Sequence, residues 1–238
     1  IRNLEETCNR MASAGLAPKW GGEGIIRKEM TPALLAKLKK AGCGYITYGL
    51  ESASQRVLDL MRKGTDISIA ARVVHDTHEA GISQKINIMV GFPGETEDDF
   101  QKTLDFITEN SDLLDEVNPS DGFTGIFPGT ELYQRKDDFG VVFVNNHYFW
   151  ETVDGRNTLA VRLDRFERIL GHVAALGLRC TYPGTELLDR HKILGDFHAN
   201  RGEHAEALRH YEIHAARLGV LPETVPGYLG TSRKYGGG

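Results

Sequence analysis

Strand-like and helix-like patterns take turns over the first two-thirds of the 238-residue chain, and this rhythm limits the fold more than any other feature. Residues 45–51 and 82–91 read as strands, and residues 17–21 and 123–127 as shorter ones. Between them lie helix patterns with their own start signals. Thr31-Pro32 places a capping residue before a proline at the first helical position, and Leu34, Leu35 and Leu38 share one face. Ser52 and Gln55 have capping-box spacing ahead of Val57, Leu58 and Met61. Asp66 or Ser68 opens a further helix that Gly81 closes. Thr96 precedes an acidic first turn, Glu97, Asp98 and Asp99, which suits the positive end of a helix dipole. Strands alternating with helices in this way imply βαβ units and a parallel sheet or barrel.

The rhythm breaks after Asp137, and from Thr158 the pattern is helical almost to Gly219. Leu194-Gly195, Gly202, Ala205, Ala207 and Tyr211 follow the spacing of one tetratricopeptide hairpin, over about residues 187–219. Such repeats need neighbours to bury their faces, so a single helical hairpin packed on the main domain is the simpler reading. His210 and His214 stand four apart on that helix and are expected to be solvated, since no third metal ligand is near in sequence.

Composition removes several function classes. The chain is 40% hydrophobic and 26% charged, as for an ordinary globular protein. Its formal charge of -5 gives no electrostatic case for nucleic acid or an anionic membrane surface. No apolar run approaches the ~20 residues of a membrane span. Cys8, Cys43 and Cys180 are an odd, scattered set, which argues against a disulfide framework and for a reducing compartment, the cytoplasm. The first residue is Ile1 and it opens directly into a helical pattern, so the chain is expected to begin within a longer protein.

Strand alternation says where the polar residues point. Ile46, Tyr48 and Leu50 share one face, and Tyr45, Thr47, Gly49 and Glu51 the other. In the next strand Ile86, Ile88 and Val90 oppose Lys85, Asn87, Met89 and Gly91. A parallel strand covered by helices on both sides should be apolar on both faces. A polar second face instead fits the inside of a barrel that holds a ligand, with the working residues at the C-terminal strand ends. Glu51 and Gly91 stand at those ends. A glutamate there needs a cationic or hydrogen-bonding partner. Either it binds a ligand or it caps the next helix locally. Glu51 and the helix start at Ser52 together could hold an amino-acid zwitterion, with the ammonium on Glu51 and the carboxylate on backbone N–H groups.

These residues resemble those of the radical S-adenosylmethionine (SAM) superfamily. Gly42-Cys43, Tyr48-Gly49-Leu50-Glu51-Ser52 and Val57 to Gly64 resemble the fourth strand and helix of its barrels. Met89-Val90-Gly91-Phe92-Pro93-Gly94-Glu95-Thr96, followed by Asp99-Phe100 and Thr103 to Phe106, looks like the fifth. Phe127-Pro128-Gly129-Thr130 looks like the exit of the sixth, while Trp20, Arg27 and Met30-Thr31 fit the third. The closest flavour is the group that often carries a cobalamin-binding domain upstream.

The resemblance implies an α/β fold: part of a (β/α)6 barrel, about strands three to six, over residues 1–140, then a mostly helical extension over 141–238. It implies an enzyme that reductively cleaves SAM for radical methylation or rearrangement of an unreactive carbon. SAM would be held by Gly49, Glu51, Ser52, Asn87, Met89 and Gly91. A [4Fe–4S] cluster would be bound through Cys-x3-Cys-x2-Cys, which is absent from this sequence and expected upstream, so the chain alone should be inactive. Cobalamin would be a further cofactor if the chain shares that group's upstream domain. A small-molecule or lipid-like substrate and an electron donor such as flavodoxin or ferredoxin are the implied partners. Gly21-Gly22-Glu23 spells the family's SAM motif, but at the third strand rather than the second, and is read as coincidence.

Two other classes stay open on the residues alone. One is a cluster-free (β/α)-barrel lyase or isomerase with Glu51 and Lys85 as acid and base. The other is a non-catalytic scaffold built on the tetratricopeptide-like hairpin.

Overall fold

The computed structural model describes residues 2–16, 18–119, 124–144, 146–180 and 189–219. By its internal contacts the chain divides into two units, Ile1–Ser120 with Phe166–Thr181, and Asp121–Arg165 with Tyr182–Gly238.

The first unit is built on a four-stranded parallel sheet, β1 (Trp20–Gly24), β2 (Cys43–Glu51), β3 (Ser83–Ile88) and β4 (Glu116–Pro119). Helix α1 (Arg2–Ser13) precedes it, and α2 (Pro32–Lys40) joins β1 to β2. Helices α3 (Gln55–Leu60) and α4 (Ala70–Glu79) join β2 to β3, and α5 (Glu97–Glu109) joins β3 to β4. Spatial order is β1-β2-β3-β4, the chain order, with no reversal. A doubly wound sheet reverses at a switch point; a barrel winds one way. This is therefore a partial (β/α) barrel.

The expected faces are observed except at Gly91, which is buried. Ile46, Tyr48, Leu50, Ile86, Ile88 and Val90 are all 5% exposed or less, while Thr47, Gly49, Glu51, Lys85, Asn87 and Met89 are half-buried. On the buried side the Tyr48 hydroxyl meets Thr77 Oγ1 at 2.9 Å, and burial pushes the phenol up to about 12. The caps at Thr31 and Thr96 are also formed. Thr31 Oγ1 accepts from the Leu34 N–H, and Thr96 makes a reciprocal capping box with Asp99.

Four sequence expectations are corrected. The first strand runs Trp20–Gly24 where 17–21 was expected, because its three glycines pair with β2 rather than turning; Ala17 lies outside the described residues. The strand expected over 82–91 is shorter, Ser83–Ile88. The fourth strand is Glu116–Pro119 rather than 123–127; residues 124–127 carry no strand, and Phe123 lies outside the described residues. Finally, Ser54 rather than Ser52 stands at the start of α3, and it makes no side-chain cap bond there because its hydroxyl donates to Asp99.

The second unit holds the short helix α6 (Glu131–Gln134) and an antiparallel pair, β5 (Val141–Phe143) with β6 (Trp150–Thr152). Residues 159–165 of α7 (Leu159–Ala175) also belong to it. Arg162 is fully buried and lies 3.9 Å over the Trp150 ring, donating to Trp150 O and Asn157 Oδ1. Helices α8 (Arg190–Asn200) and α9 (His204–Arg217) form one hairpin. Residues 187–188 of the expected hairpin lie outside the described residues. A Cβ on Gly195 would lie 2.5 Å from the Tyr211 ring, so only glycine allows α8 this approach to α9. Leu159, Leu163, Ile193, Leu194 and Phe197 form one apolar cluster here, and Ala207, Tyr211 and Ala215 another.

Candidate ligand site on the barrel face

Parallel register turns single side chains into rows. Glu23, Thr47, Lys85 and Glu116 lie level across the four strands, and Gly49, Asn87 and Asn118 make the next row towards the C-terminal ends. Lys85 Nζ reaches Glu116 Oε1 at 3.1 Å, so these two charges of the lower row offset each other and Glu23 leaves it negative. In the upper row the Oδ1 atoms of Asn87 and Asn118 are buried and have no hydrogen-bond partner among the described residues. A buried orphan acceptor costs about 1–3 kcal/mol and calls for an explanation, a bound group being one.

Pairing slips between Gly49 and Glu51, and Glu51 takes a left-handed backbone, φ 69°. Its carbonyl accepts from the Met89 N–H at 2.9 Å, which ties the slipped end of β2 to the residue just beyond β3. The Glu51 carboxylate, 16% exposed, accepts from Lys63 Nζ at 2.7 Å. Gly49 lies beneath this pair. A Cβ there would stand 2.8 Å from Glu51 Oε1 and 3.2 Å from Lys63 Nζ. A recess of about 370 Å³ opens at this place. Gly49, Glu51, Lys63 and Asn87 line it from β2, β3 and the loop after α3, and Glu23, Gly24, Ile25 and Thr47 complete its wall.

Of the six residues expected to hold SAM, the structure brings Gly49, Glu51 and Asn87 together in this recess. The other three do not line it. Ser52 is fully buried, its Oγ accepting from the Ser54 N–H at 3.1 Å and lying 3.5 Å from Thr103 Oγ1. Gly91 donates its N–H to Glu95 Oε2 at 2.9 Å. Met89 contributes the backbone bond to Glu51. Lys63 and Glu23 were missed. Lys63 is twelve residues from Glu51, and nothing local marks it as a partner. Glu23 belongs to the triplet read as coincidence. Lys85 and Glu51, the acid–base pair of the alternative reading, are each matched elsewhere, with Glu116 and Lys63.

The amino-acid part of SAM fits what is present. The recess offers an anion for an ammonium, a cation for a carboxylate and an orphan oxygen for a neutral donor. The cluster does not fit. Cys8 and Cys43 are buried, burial pushes all three thiols up from the range where thiolates form, and no three metal-ligating groups converge among the described residues.

Residues 21–107 match the model of the radical SAM superfamily. Over that stretch the chain is similar to that superfamily. Among curated relatives, bacteriochlorophyllide d C-8(2)-methyltransferase of Chlorobaculum tepidum is 26% identical over 141 residues, covering 58% of this chain and 30% of that protein. Ribosomal protein uS12 methylthiotransferase RimO of Pelotomaculum thermopropionicum is 44% identical over 78 residues, 32% of this chain and 17% of its own length. The chain thus spans less than a third of either relative. Among solved structures, coproporphyrinogen III oxidase (HemN) of Escherichia coli, a radical SAM enzyme, superposes with a TM-score of 0.51 at 16% identity, covering 73% of this chain and 37% of that one. That likeness supports the radical SAM barrel as the fold.

Proposed function

We propose that the chain is the SAM-seating part of a radical SAM enzyme that methylates or rearranges an unreactive carbon. The observation that carries this reading is the Lys63–Glu51 pair at 2.7 Å beside the orphan Asn87 oxygen. Glu51 accepts from the SAM ammonium and Lys63 donates to its carboxylate, so the two side chains exchange their mutual contact for a zwitterion. Asn87 Oδ1 accepts from a neutral donor of the same ligand. SAM, when bound, supplies an activated sulfonium for radical generation. Methyl transfer is favoured within that chemistry because the two named curated relatives are a methyltransferase and a methylthiotransferase.

The remaining parts belong to the same proposal. The [4Fe–4S] cluster is held by cysteines upstream of this chain, an electron donor such as flavodoxin or ferredoxin reduces it, and the chain alone is inactive. Residues 1–140 supply barrel and 141–238 the extension. The substrate is a small or lipid-like molecule, cobalamin is a cofactor if the upstream domain is the cobalamin-binding one, and the enzyme works in the cytoplasm. No described helix is long and apolar enough to cross a membrane.

The test is Glu51→Gln in the full-length enzyme, titrated with SAM under anaerobic conditions. A charge-assisted hydrogen bond contributes about 1.5–3 kcal/mol, so the dissociation constant should rise roughly tenfold to a hundredfold. Glutamine keeps the volume, and far-UV circular dichroism should not change. An unaltered dissociation constant would leave Glu51 as no more than the local partner of Lys63.

A further inference from the structure

The barrel face of the sheet carries acceptors that its own donors do not reach. Lys63 is engaged with Glu51 at 2.7 Å and Lys85 with Glu116 at 3.1 Å. Glu23, level with Thr47 and Lys85, has no cation or hydrogen-bond donor against it among the described residues, yet it lines the recess. The buried oxygens of Asn87 and Asn118 add to the same surplus. Glu51 and Lys63 cancel, so the charge that the recess keeps is the negative one of Glu23.

Glu23 also stands away from the Glu51–Lys63 pair. Its register partner in β2 is Thr47, four residues before Glu51. At about 3.3 Å of rise per residue the two levels are on the order of 10 Å apart along the strand. The ammonium and carboxylate of one amino acid cannot span that distance, so a zwitterion seated at Glu51 and Lys63 leaves Glu23 unmatched.

The surroundings of Glu23 are apolar and open. Ile25, on the same wall of the recess, is 48% exposed. Tyr45 lies one row below Thr47 on the same face and is 54% exposed. Its ring lies across Gly21, where it leaves no room for a Cβ. A tyrosine ring attracts a cation to its face, and isoleucine gains by covering apolar carbon. An anion would meet Glu23 as a like charge, and a ligand without charge would leave the carboxylate unmatched.

We propose that this lower end of the recess seats the second substrate, and that this molecule carries a cationic N–H group, an ammonium or amidinium, on an apolar body, with Glu23 as its counter-ion. Glu23 is left for a second molecule only if the amino-acid end of SAM takes Glu51 and Lys63, and the Glu51→Gln titration reads that separately. The glutamate of the Gly21-Gly22-Glu23 triplet then has a use of its own, away from the zwitterion.

The test is isothermal titration calorimetry of the full-length enzyme under anaerobic conditions with benzamidinium, benzamide and benzoate, three probes of one shape that differ in charge and in N–H donors. Benzamidinium should bind, and the other two should bind at least about tenfold more weakly, as expected for the loss of a charge-assisted hydrogen bond. Glu23→Gln should bring benzamidinium down to the level of benzamide and leave the dissociation constant for SAM unchanged. Equal affinity for benzamidinium and benzamide, or benzamidinium binding that survives Glu23→Gln, overturns the proposal. So does weaker SAM binding by Glu23→Gln, which would assign Glu23 to SAM instead.

Discussion

Asp99 concentrates more of the first unit's order in one side chain than any glycine or apolar residue around it. Its side chain is 2% exposed and closes the capping box of α5, accepting from the Thr96 N–H at 2.9 Å and from Thr96 Oγ1 at 2.6 Å. It also accepts from Ser54 Oγ at 2.6 Å and from the Arg56 guanidinium, which fastens the start of α3 to the start of α5. Burial alone would raise its pKa. The bonds from Arg56, Ser54 and Thr96 win and hold it well below the usual carboxylate range.

Asp99→Ala removes the cap, worth about 1 kcal/mol, and leaves the 1%-exposed Ser54 hydroxyl without its acceptor, at about 1–3 kcal/mol. Arg56 is half-exposed and regains water, so its share is discounted. The expected loss is about 3 kcal/mol, read as a fall in the urea midpoint with an unchanged slope. The folded-state pKa is depressed, so this stabilisation is fully present above about pH 4, the unfolded value, and is lost as pH falls further. The wild-type minus variant difference should therefore shrink between pH 4 and pH 2. A constant difference across that range would mean that the loss comes from the cavity alone, and the electrostatic account would be wrong.

Other outcomes follow from single contacts. Gly49→Ala would press a methyl group into the Glu51–Lys63 pair; SAM affinity of the full-length enzyme should drop by about an order of magnitude, near 1.4 kcal/mol, with the thermal midpoint little moved. Gly195→Val would drive side-chain carbon into the Tyr211 ring. Overpacking of this kind costs about 1–3 kcal/mol, and hydrogen exchange should show α8 and α9 losing protection before the barrel sheet does.

What the sequence made legible was local and periodic. Ile46, Tyr48 and Leu50 alternate with Thr47, Gly49 and Glu51, so burial of one face could be read from the chain, and Thr31 and Thr96 announce their helices. What stayed hidden depends on partners distant in sequence. The strand Glu116–Pro119 has one β-branched residue and a proline, and pairing with β3 on one side and a bridge to Arg179 on the other make it a strand. The three-glycine strand Trp20–Gly24 likewise owes its extension to β2. Ser52-Ala53-Ser54 offers two capping serines, and the choice was made by Asp99 and Thr103, about fifty residues on. Lys63 reaches Glu51 only because the chain turns back after α3, through Arg62 and Gly64, both with positive φ.

The pair that Lys63 makes with Glu51 also constrains what the recess can tell apart. A simple cation would strand the lysine and a simple anion the glutamate, so only a ligand carrying both charges replaces the bond without leaving one of them bare. Yet that replacement reads nothing beyond the amino-acid end. On the proposed reading, SAM and its demethylated thioether share that end and should compete for Glu51 and Lys63 on equal terms. Discrimination by charge on sulfur must then lie outside this recess, and spent cofactor should act as a competitive inhibitor of any enzyme built on this barrel.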